Sequence, residues 1–159
     1  MTGLPHIAVR HHVTVLIACI VLAILPGLAG SAFSPDAWYA GLEKPALTPP
    51  GWVFPIAWTA LYISIGIALF IYLHTGARDR LALIAFGTQL VLNGLWSYLM
   101  FGRHEPGVAL VDIALLWVAI VVTAVAFARR SRTAGLLLVP YLAWVSFASY
   151  LNIAIWRAN

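Results

Sequence analysis

Amide and indole side chains within apolar stretches are the first residues of this sequence whose types and spacing could support chemistry. Gln89 and Asn93 are four residues apart, and Trp96 and Ser97 follow three and four residues after Asn93, so on a helix all four lie along one face. Amide groups in hydrocarbon are costly unless they are hydrogen bonded, so this stripe must face the protein interior. It either joins neighbouring helices by hydrogen bonds or forms the polar wall of a ligand site.

A second set of candidate residues is aromatic. Trp58 and Tyr62 are four residues apart, a spacing that places both on one helical face. Tyr141 and Trp144 are three apart and share a face in the same way, and Phe147 lies in the same segment. Together with the amides, these rings predict an enclosed cavity that suits a flat, largely apolar ligand with a few polar edges.

The sequence contains no recognisable machinery for ordinary hydrolysis or group transfer. It has no paired acids, no nucleophile with a base, no phosphate-binding loop and no metal-ligand spacing,. No histidine falls in the interior of a predicted span, since His74 lies at a span end, which argues against axial ligation of haem iron by a buried histidine. We therefore predict no metal and no required cofactor. The basic residues are spread over short turns, so we predict no nucleic-acid partner either.

Asp112 is the one charged residue inside a predicted membrane span. An intramembrane carboxylate is by default a hypothesis for a functional site. Asp112 lies about one turn into its helix, however, from where it could reach the membrane interface or pair with Arg103. We expect structural pairing and keep the functional role as the alternative.

Membrane-spanning helices must position these candidates. The 159 residues are 63% hydrophobic and 9% charged, which is too apolar for the surface of a water-soluble protein. The charge-poor stretches are long enough for helices of ~20 residues to cross a bilayer. We predict an all-α integral membrane protein, a single domain over residues 1–159 built as a bundle of five transmembrane helices. The predicted spans are roughly 13–33, 51–75, 81–101, 107–127 and 134–156.

Two of the spans carry a further question. The first could be a cleaved signal peptide, because a run of small residues follows at 28–32. Its apolar stretch exceeds the ~7 to 15 residues of a signal core, so we expect this span to be retained in the bundle. The fifth contains Pro140, which removes a backbone donor and can kink the helix.

The distribution of basic residues predicts how the protein lies in the bilayer. Three lie on the side of the C-terminus and the first loop: Lys44, Arg103 and Arg157. Six lie on the side of the N-terminus: Arg10, Arg78, Arg80, Arg129, Arg130 and Arg132. Since basic residues favour the cytoplasmic side, we predict that the N-terminus is inside, and that the C-terminus and first loop are outside.

The loop of residues 34–50 differs from the other loops in length and composition. Its four prolines prevent a continuous helix,, and Asp36 is placed to cap one short helical turn. The loop is either a semi-rigid lid over one end of the bundle or a membrane-surface loop held by its aromatic residues. Trp38 and Trp52 lie near span ends, where indole rings sit among headgroups, and both are kept as ligand-binding candidates.

A series of small residues marks one face of the second span. Ala60, Ser64 and Ala68 recur every four residues, and such series allow helix backbones to approach closely in lipid. The face packs either against another helix of the same chain or against a second copy. We favour a homodimer.

Two groups of motifs occur in an order and spacing that point to one family. The first comprises Trp38-Tyr39, Leu42-Glu43-Lys44-Pro45, Pro49-Pro50-Gly51-Trp52-Val53-Phe54-Pro55, Trp58-Thr59 and Leu61-Tyr62. The second comprises Gln89-Leu90, Asn93, Trp96, Ser97, Asp112, Val139-Pro140-Tyr141, Trp144, Phe147, Ala148, Leu151 and Asn152. Over about residues 35–157 this pattern resembles the TspO/MBR family, also called the tryptophan-rich sensory protein or translocator protein family.

The resemblance implies a five-helix membrane bundle, commonly dimeric, that binds porphyrins beneath its first loop. Two pocket tryptophans, tied to light-dependent porphyrin breakdown in bacterial members, correspond to Trp58 and Trp144, which become the catalytic candidates. The predicted function is a membrane sensor or regulator that binds a tetrapyrrole. The alternatives are a light-dependent porphyrin-degrading enzyme, or a transporter of porphyrin or other small molecules. Transport ranks below sensing because it needs a continuous polar path across the membrane, which the sequence does not indicate.

The expected ligand pose follows from these candidates. Three aromatic residues would stack on the porphyrin ring: Trp58, Tyr62 and Trp144. Three polar residues would form hydrogen bonds with it: Gln89, Asn93 and Tyr141.

Two departures from the family pattern limit the inference. Ala46 and Leu47 follow the Lys-Pro pair where many members have aromatic residues, which would loosen stacking at the lid. In some members the family also binds sterols and synthetic aromatic drugs. The sterol motif requires a basic residue within five positions of a tyrosine, whereas six residues separate Tyr150 from Arg157, which argues against sterol binding.

Overall fold

The structure is a computed structural model that describes residues 4–159, with side chains from residue 11 onward. The residues described form helices joined by short loops, without β-strands. The five long helices are α1 (Leu4–Gly30), α3 (Val53–His74), α4 (Arg80–Ser97), α5 (Pro106–Ala128) and α7 (Val139–Ala158). The two short ones are α2 (Ala37–Gly41) and α6 (Arg132–Leu136), and α4 continues into a π-helical turn at Tyr98–Gly102.

The predicted five-span architecture is confirmed. Within the part of the chain that the structure describes, five helical segments are long and apolar enough to cross a membrane, and each end lies within three residues of its predicted position: His11–Gly30, Val53–His74, Arg80–Gly102, Pro106–Ala128 and Arg132–Ala158. The last segment is interrupted at residues 137–138, between α6 and α7. Pro140 lies just after this break, in the first turn of α7. Residues in the first turn have no carbonyl of their own helix to donate to, so the missing N–H of proline costs no helical hydrogen bond there. The proline therefore begins a helix and does not kink one.

The spans pack as a ring. Helix α1 lies between α3 and α4, α5 packs against α4, α6 and α7, and α3 closes the ring through α6 and a short stretch of α7. Gly66 of α3 makes one of these approaches possible, because a Cβ there would lie 2.6 Å from the Cα of Ile20 in α1. Helix α1 is thus an integral wall of the bundle.

One end of the ring is solidly packed with aromatic side chains. The rings of Tyr72 and Phe127 stack with centroids 4.1 Å apart and an interplanar angle of 5°. The ring of Phe86 also stacks on Phe127, with centroids 5.8 Å apart and an interplanar angle of 12°. These residues lie near the ends of α3 and α5 and the start of α4. The bundle is therefore closed at this end, and open space remains at the opposite end.

The small-residue face of α3 is largely used inside the chain. Ser64 donates a hydrogen bond of 2.7 Å to the carbonyl of Leu137, and Ala68 is fully buried. Ala60 remains exposed. The intrachain alternative therefore accounts for two of the three residues, and this face offers little to a second copy.

The expected pairing of Asp112 is wrong. Asp112 is 5% exposed, yet its Oδ2 has no hydrogen-bond partner among the described residues. Arg103 pairs instead with Glu105 at 3.0 Å. Glu105 competes successfully because it lies two residues from Arg103 in the same exposed loop, whereas Asp112 points into the bundle.

Candidate functional site: a chamber beneath the first loop

The open end of the bundle contains a partly enclosed chamber of about 810 Å³. Residues of α1, α3, α4 and α7 form its walls, and residues 34–50 lie over it. Six residues of this loop line the chamber: Ser34, Pro35, Tyr39, Lys44, Thr48 and Pro49. The loop thus occupies the position of the predicted lid.

Aromatic rings form the wall contributed by α3. Trp58 and Tyr62 stack with centroids 5.3 Å apart and an interplanar angle of 23°, as their four-residue spacing on the helix allows. Phe54 lies one turn before Trp58 and also lines the chamber. The stacked pair of Trp58 and Tyr62 gives this wall an aromatic surface that can stack against a planar apolar ligand.

The wall contributed by α4 carries an amide held by a chain of hydrogen bonds. The Tyr62 hydroxyl donates to Asn93 Oδ1 at 2.9 Å, and Asn93 Nδ2 donates to the Tyr141 hydroxyl at 3.2 Å. The Tyr141 hydroxyl in turn donates to Gln89 Oε1 at 3.0 Å. Tyr62 and Asn93 line the chamber, whereas Gln89 and Tyr141 lie behind its wall, where they join α4 to α7.

Trp96 completes this wall. Its Nε1 donates to Asn152 Oδ1 at 3.0 Å, and Asn152 Nδ2 donates to the carbonyl of Pro106 at 2.8 Å. Both alternatives for the polar stripe therefore apply. Gln89, Asn93 and Trp96 form interhelical hydrogen bonds, and Asn93, Trp96 and Ser97 line the chamber.

The π-helical turn that ends the third span adds aromatic surface next to Trp96. Phe101 lies edge-on to Trp96, with centroids 5.6 Å apart and an interplanar angle of 86°. Met100 and Phe101 both line the chamber. Such π-helical turns often occur at functional sites, and this one directs the ring of Phe101 under the lid beside Tyr39, at 5.2 Å.

Trp144 and Phe147 lie outside the chamber. Trp144 meets Trp58 edge-on at 6.5 Å, but it lines a shallow apolar groove on the outer surface between α3 and α7, as Phe147 does. Tyr141 is fully buried, and a three-residue step turns Trp144 about 60° away from it, toward the α3 boundary. Trp144 therefore backs the aromatic wall and does not form the chamber surface.

The other two predicted tryptophans also lie away from the chamber. Trp38 stacks on His104, with centroids 4.3 Å apart and an interplanar angle of 17°. Trp52 is 67% exposed. Of the ten predicted ligand-binding residues, the structure therefore places four on the chamber surface: Trp58, Tyr62, Asn93 and Trp96.

Besides the ring contacts of Trp38 and Tyr39, two sets of polar contacts join the lid to the rest of the protein. At one end His104 Nε2 lies 3.1 Å from Asp36 Oδ2. At the other, Asn159 brackets the backbone of Glu43, since its Oδ1 accepts from the Glu43 N–H at 3.1 Å and its Nδ2 donates to the Glu43 carbonyl at 3.2 Å. The lid thereby rests on the loop after α4 and on the end of α7.

The expected helical cap in the lid is confirmed. Asp36 Oδ1 accepts the backbone N–H of Tyr39 at 3.1 Å, which begins α2. This hydrogen bond, and then the nearby His104, lower the pKa of the Asp36 carboxyl. Burial raises the pKa of the Tyr39 hydroxyl, which is consistent with its position facing the chamber.

Several lining residues escaped the sequence analysis. Phe54 is one turn from Trp58, and Met100 and Phe101 are about one turn beyond Trp96; extending each predicted stripe by one turn would have found them. Tyr39 and Lys44 carry no such signal, because the irregular lid has no helical period that would indicate which side chains face inward.

Comparison with known proteins gives consistent matches over most of the chain. The model of the TspO/MBR family matches residues 15–157. The chain is 49% identical over 150 residues to the Tryptophan-rich protein TspO of Chlorobaculum tepidum, covering 91% of this chain and 95% of that protein. It is 40% identical over 126 residues to the Translocator protein of Homo sapiens, covering 77% and 75%. It is 37% identical over 134 residues to the Tryptophan-rich sensory protein of Cereibacter sphaeroides, covering 84% of each.

Proposed function

This chain belongs to the TspO/MBR family and is an integral, multi-pass membrane protein; from this premise we propose that it is a sensor or regulator that binds a tetrapyrrole in the chamber. The name of the Cereibacter sphaeroides relative, a sensory protein, supports a sensing role. Porphyrin is the ligand class that suits the chamber best.

The observation that supports this proposal most directly is the aromatic wall of the partly enclosed chamber. The chamber of about 810 Å³ lies within the ~300 to 1,000 Å³ typical of small-molecule sites. The stacked pair Trp58 and Tyr62 offers a planar apolar surface, and Asn93 offers a polar edge on the facing wall. A flat macrocycle with polar substituents matches both surfaces.

The contacts of the lid support a sensing role. A ligand under residues 34–50 would contact Tyr39, whose backbone N–H is held by Asp36. Asp36 in turn contacts the loop after α4 through His104. Occupation of the chamber can therefore change the outer surface of the protein without any passage of ligand across the bilayer.

The direct test is a titration of the purified protein with protoporphyrin IX, followed by tryptophan fluorescence. We expect saturable binding that Trp58→Phe weakens by threefold or more, because the indole loses stacking area on the chamber surface. Trp117→Phe is the matched control, since Trp117 lies on α5 and its Nε1 donates to Ser146 at 2.9 Å. If Trp58→Phe binds protoporphyrin IX with unchanged affinity, the ligand does not stack against this wall.

A second candidate function is light-dependent degradation of the bound porphyrin, with Trp58 and Trp144 as the catalytic candidates. The specific observation in its favour is the row of rings running outward from the chamber, with Tyr62 and Trp58 5.3 Å apart and Trp58 and Trp144 6.5 Å apart. Illumination of the complex in air should then give a new absorbing species. Trp144→Phe should bind porphyrin normally yet form none of this product; undiminished product would refute the role of Trp144.

The homodimer and the membrane orientation remain proposals. We propose a dimer formed through another lipid-facing surface than the small-residue face of α3, because Ser64 and Ala68 are engaged within the chain. We also propose that the lid and the C-terminus face the outside. Cross-linking in membranes and labelling of a cysteine introduced in the lid would test the two proposals separately.

A further inference from the structure

Lys44 is the one charged residue among the described residues that line the chamber. The remaining lining is made of apolar and aromatic side chains with a few neutral polar groups. Lys44 is half-buried at the lid, so its ammonium group places a positive charge at the rim of an otherwise neutral cavity.

The ammonium group of Lys44 is positioned but not neutralised. Its Nζ donates to the carbonyls of Ala40 at 3.1 Å and Leu42 at 3.2 Å, and it lies 4.8 Å from the ring centroid of Tyr39. An ammonium group has three protons to donate, and these two contacts use two. Neither ion pair found among the described residues involves Lys44, although Glu43 is its neighbour in sequence.

We propose that Lys44 selects ligands that carry a carboxylate, and that it receives this group at the rim while the apolar body of the ligand lies against Trp58. The proposal rests on the proposed function and deepens it, because it names the ligand class as amphipathic: a flat apolar body with an acidic substituent at one edge. A hydrogen bond between ionised partners is about twice as strong as one between neutral groups. The rim is also close to water, so the acid loses only part of its hydration.

A purely structural role for Lys44 has a different signature. Its contacts with Ala40 and Leu42 satisfy carbonyls at the end of α2, a common role for basic residues at helix C-termini. If that were its whole role, replacement would loosen the lid and weaken every ligand to the same extent. A role in charge recognition weakens acidic ligands only.

The experiment compares protoporphyrin IX, a dicarboxylic acid, with its neutral dimethyl ester in zwitterionic nanodiscs. We expect the wild-type protein to bind the diacid at least tenfold more tightly than the ester. Lys44→Gln should lower affinity for the diacid about tenfold and leave affinity for the ester within twofold, and Lys44→Arg should restore most of the loss. Arg103→Gln is the matched control, because Arg103 is exposed on the same side and does not line the chamber.

The outcomes separate this inference from the proposed function. Equal binding of diacid and ester by the wild-type protein would overturn the role of Lys44 and leave porphyrin binding standing. Equal weakening of both ligands by Lys44→Gln would assign Lys44 a structural role and also overturn the inference. Failure of both ligands to bind saturably would overturn the proposed function itself.

Discussion

Substitution of Gly66 by alanine tests the close approach of α1 and α3. A Cβ at this position would lie 2.6 Å from Ile20 Cα and 2.9 Å from Ile20 N, whereas carbon atoms in contact prefer about 3.5 to 4.0 Å. The obstructing atoms belong to the backbone of α1, so they cannot be relieved by a change of rotamer. The two helices must move apart by about 1 Å.

The expected magnitude follows from a matched variant. Alanine in a helix is favoured over glycine by ~1 kcal/mol, and inserting a methyl group into a packed interface costs ~1 to 3 kcal/mol. At Gly87, within α4, an added methyl group would meet nothing within 4 Å. The propensity difference is common to both variants, so Gly66→Ala should be less stable than Gly87→Ala by about 1 to 3 kcal/mol.

The assay is reversible unfolding in mixed micelles, with the SDS mole fraction raised and helix content followed by circular dichroism. We expect the unfolding midpoint of Gly66→Ala to fall and that of Gly87→Ala to stay level or rise. Equal midpoints for the two variants would refute the tight approach of α1 to α3, and with it the assignment of α1 as a fixed wall of the chamber.

Two further predictions concern the chamber wall and the lid. Tyr62→Phe removes the donor to Asn93 Oδ1 and should lower the free energy of unfolding by ~0.6 to 2 kcal/mol, as for interhelical hydrogen bonds in membranes. The control is Tyr150→Phe, at an exposed ring, which should leave the free energy of unfolding unchanged. Equal effects of the two variants would contradict the buried hydrogen-bond network. The hydrogen bond from the Tyr39 N–H lowers the pKa of the Asp36 carboxyl. The ionised carboxylate therefore stabilises α2 at neutral pH, and this stabilisation is lost as the pH falls below ~4 and through the pKa of the folded state. The protection factor of the Tyr39 amide, which is its exchange rate relative to the intrinsic rate at the same pH, should fall over that acid range in the wild type and be low throughout in Asp36→Ala. A fall in protection that persists in Asp36→Ala would exclude this carboxyl as its cause.

The sequence was sufficient to predict the spans and the chemical character of the site. Charge-free stretches of bilayer length leave few alternatives to helices, and an amide stripe such as Gln89 and Asn93 must turn inward. The four-residue spacing of Trp58 and Tyr62 predicted their shared face, which the structure confirms.

The depth at which each side chain lies could not be predicted from spacing alone. Gln89 and Tyr141 share the inward direction of Asn93, yet they bond to each other behind the chamber wall. Trp144 shares a face with Tyr141 by spacing but turns to the outer groove. Such choices depend on how the helices are placed relative to one another, which a single-helix period does not encode.

The two ends of the bundle are packed unequally, so the end filled with aromatic rings should be more rigid than the end that contains the chamber. The stacked rings of Tyr72, Phe127 and Phe86 join three spans at one end. At the other end, polar contacts at Asp36 and Glu43 hold the lid over the chamber. We therefore expect larger thermal fluctuations in the half that contains the chamber than in the half packed with aromatic rings. Because the packed end keeps the spans in place, small movements of the lid can occur without a rearrangement of the spans in the bilayer.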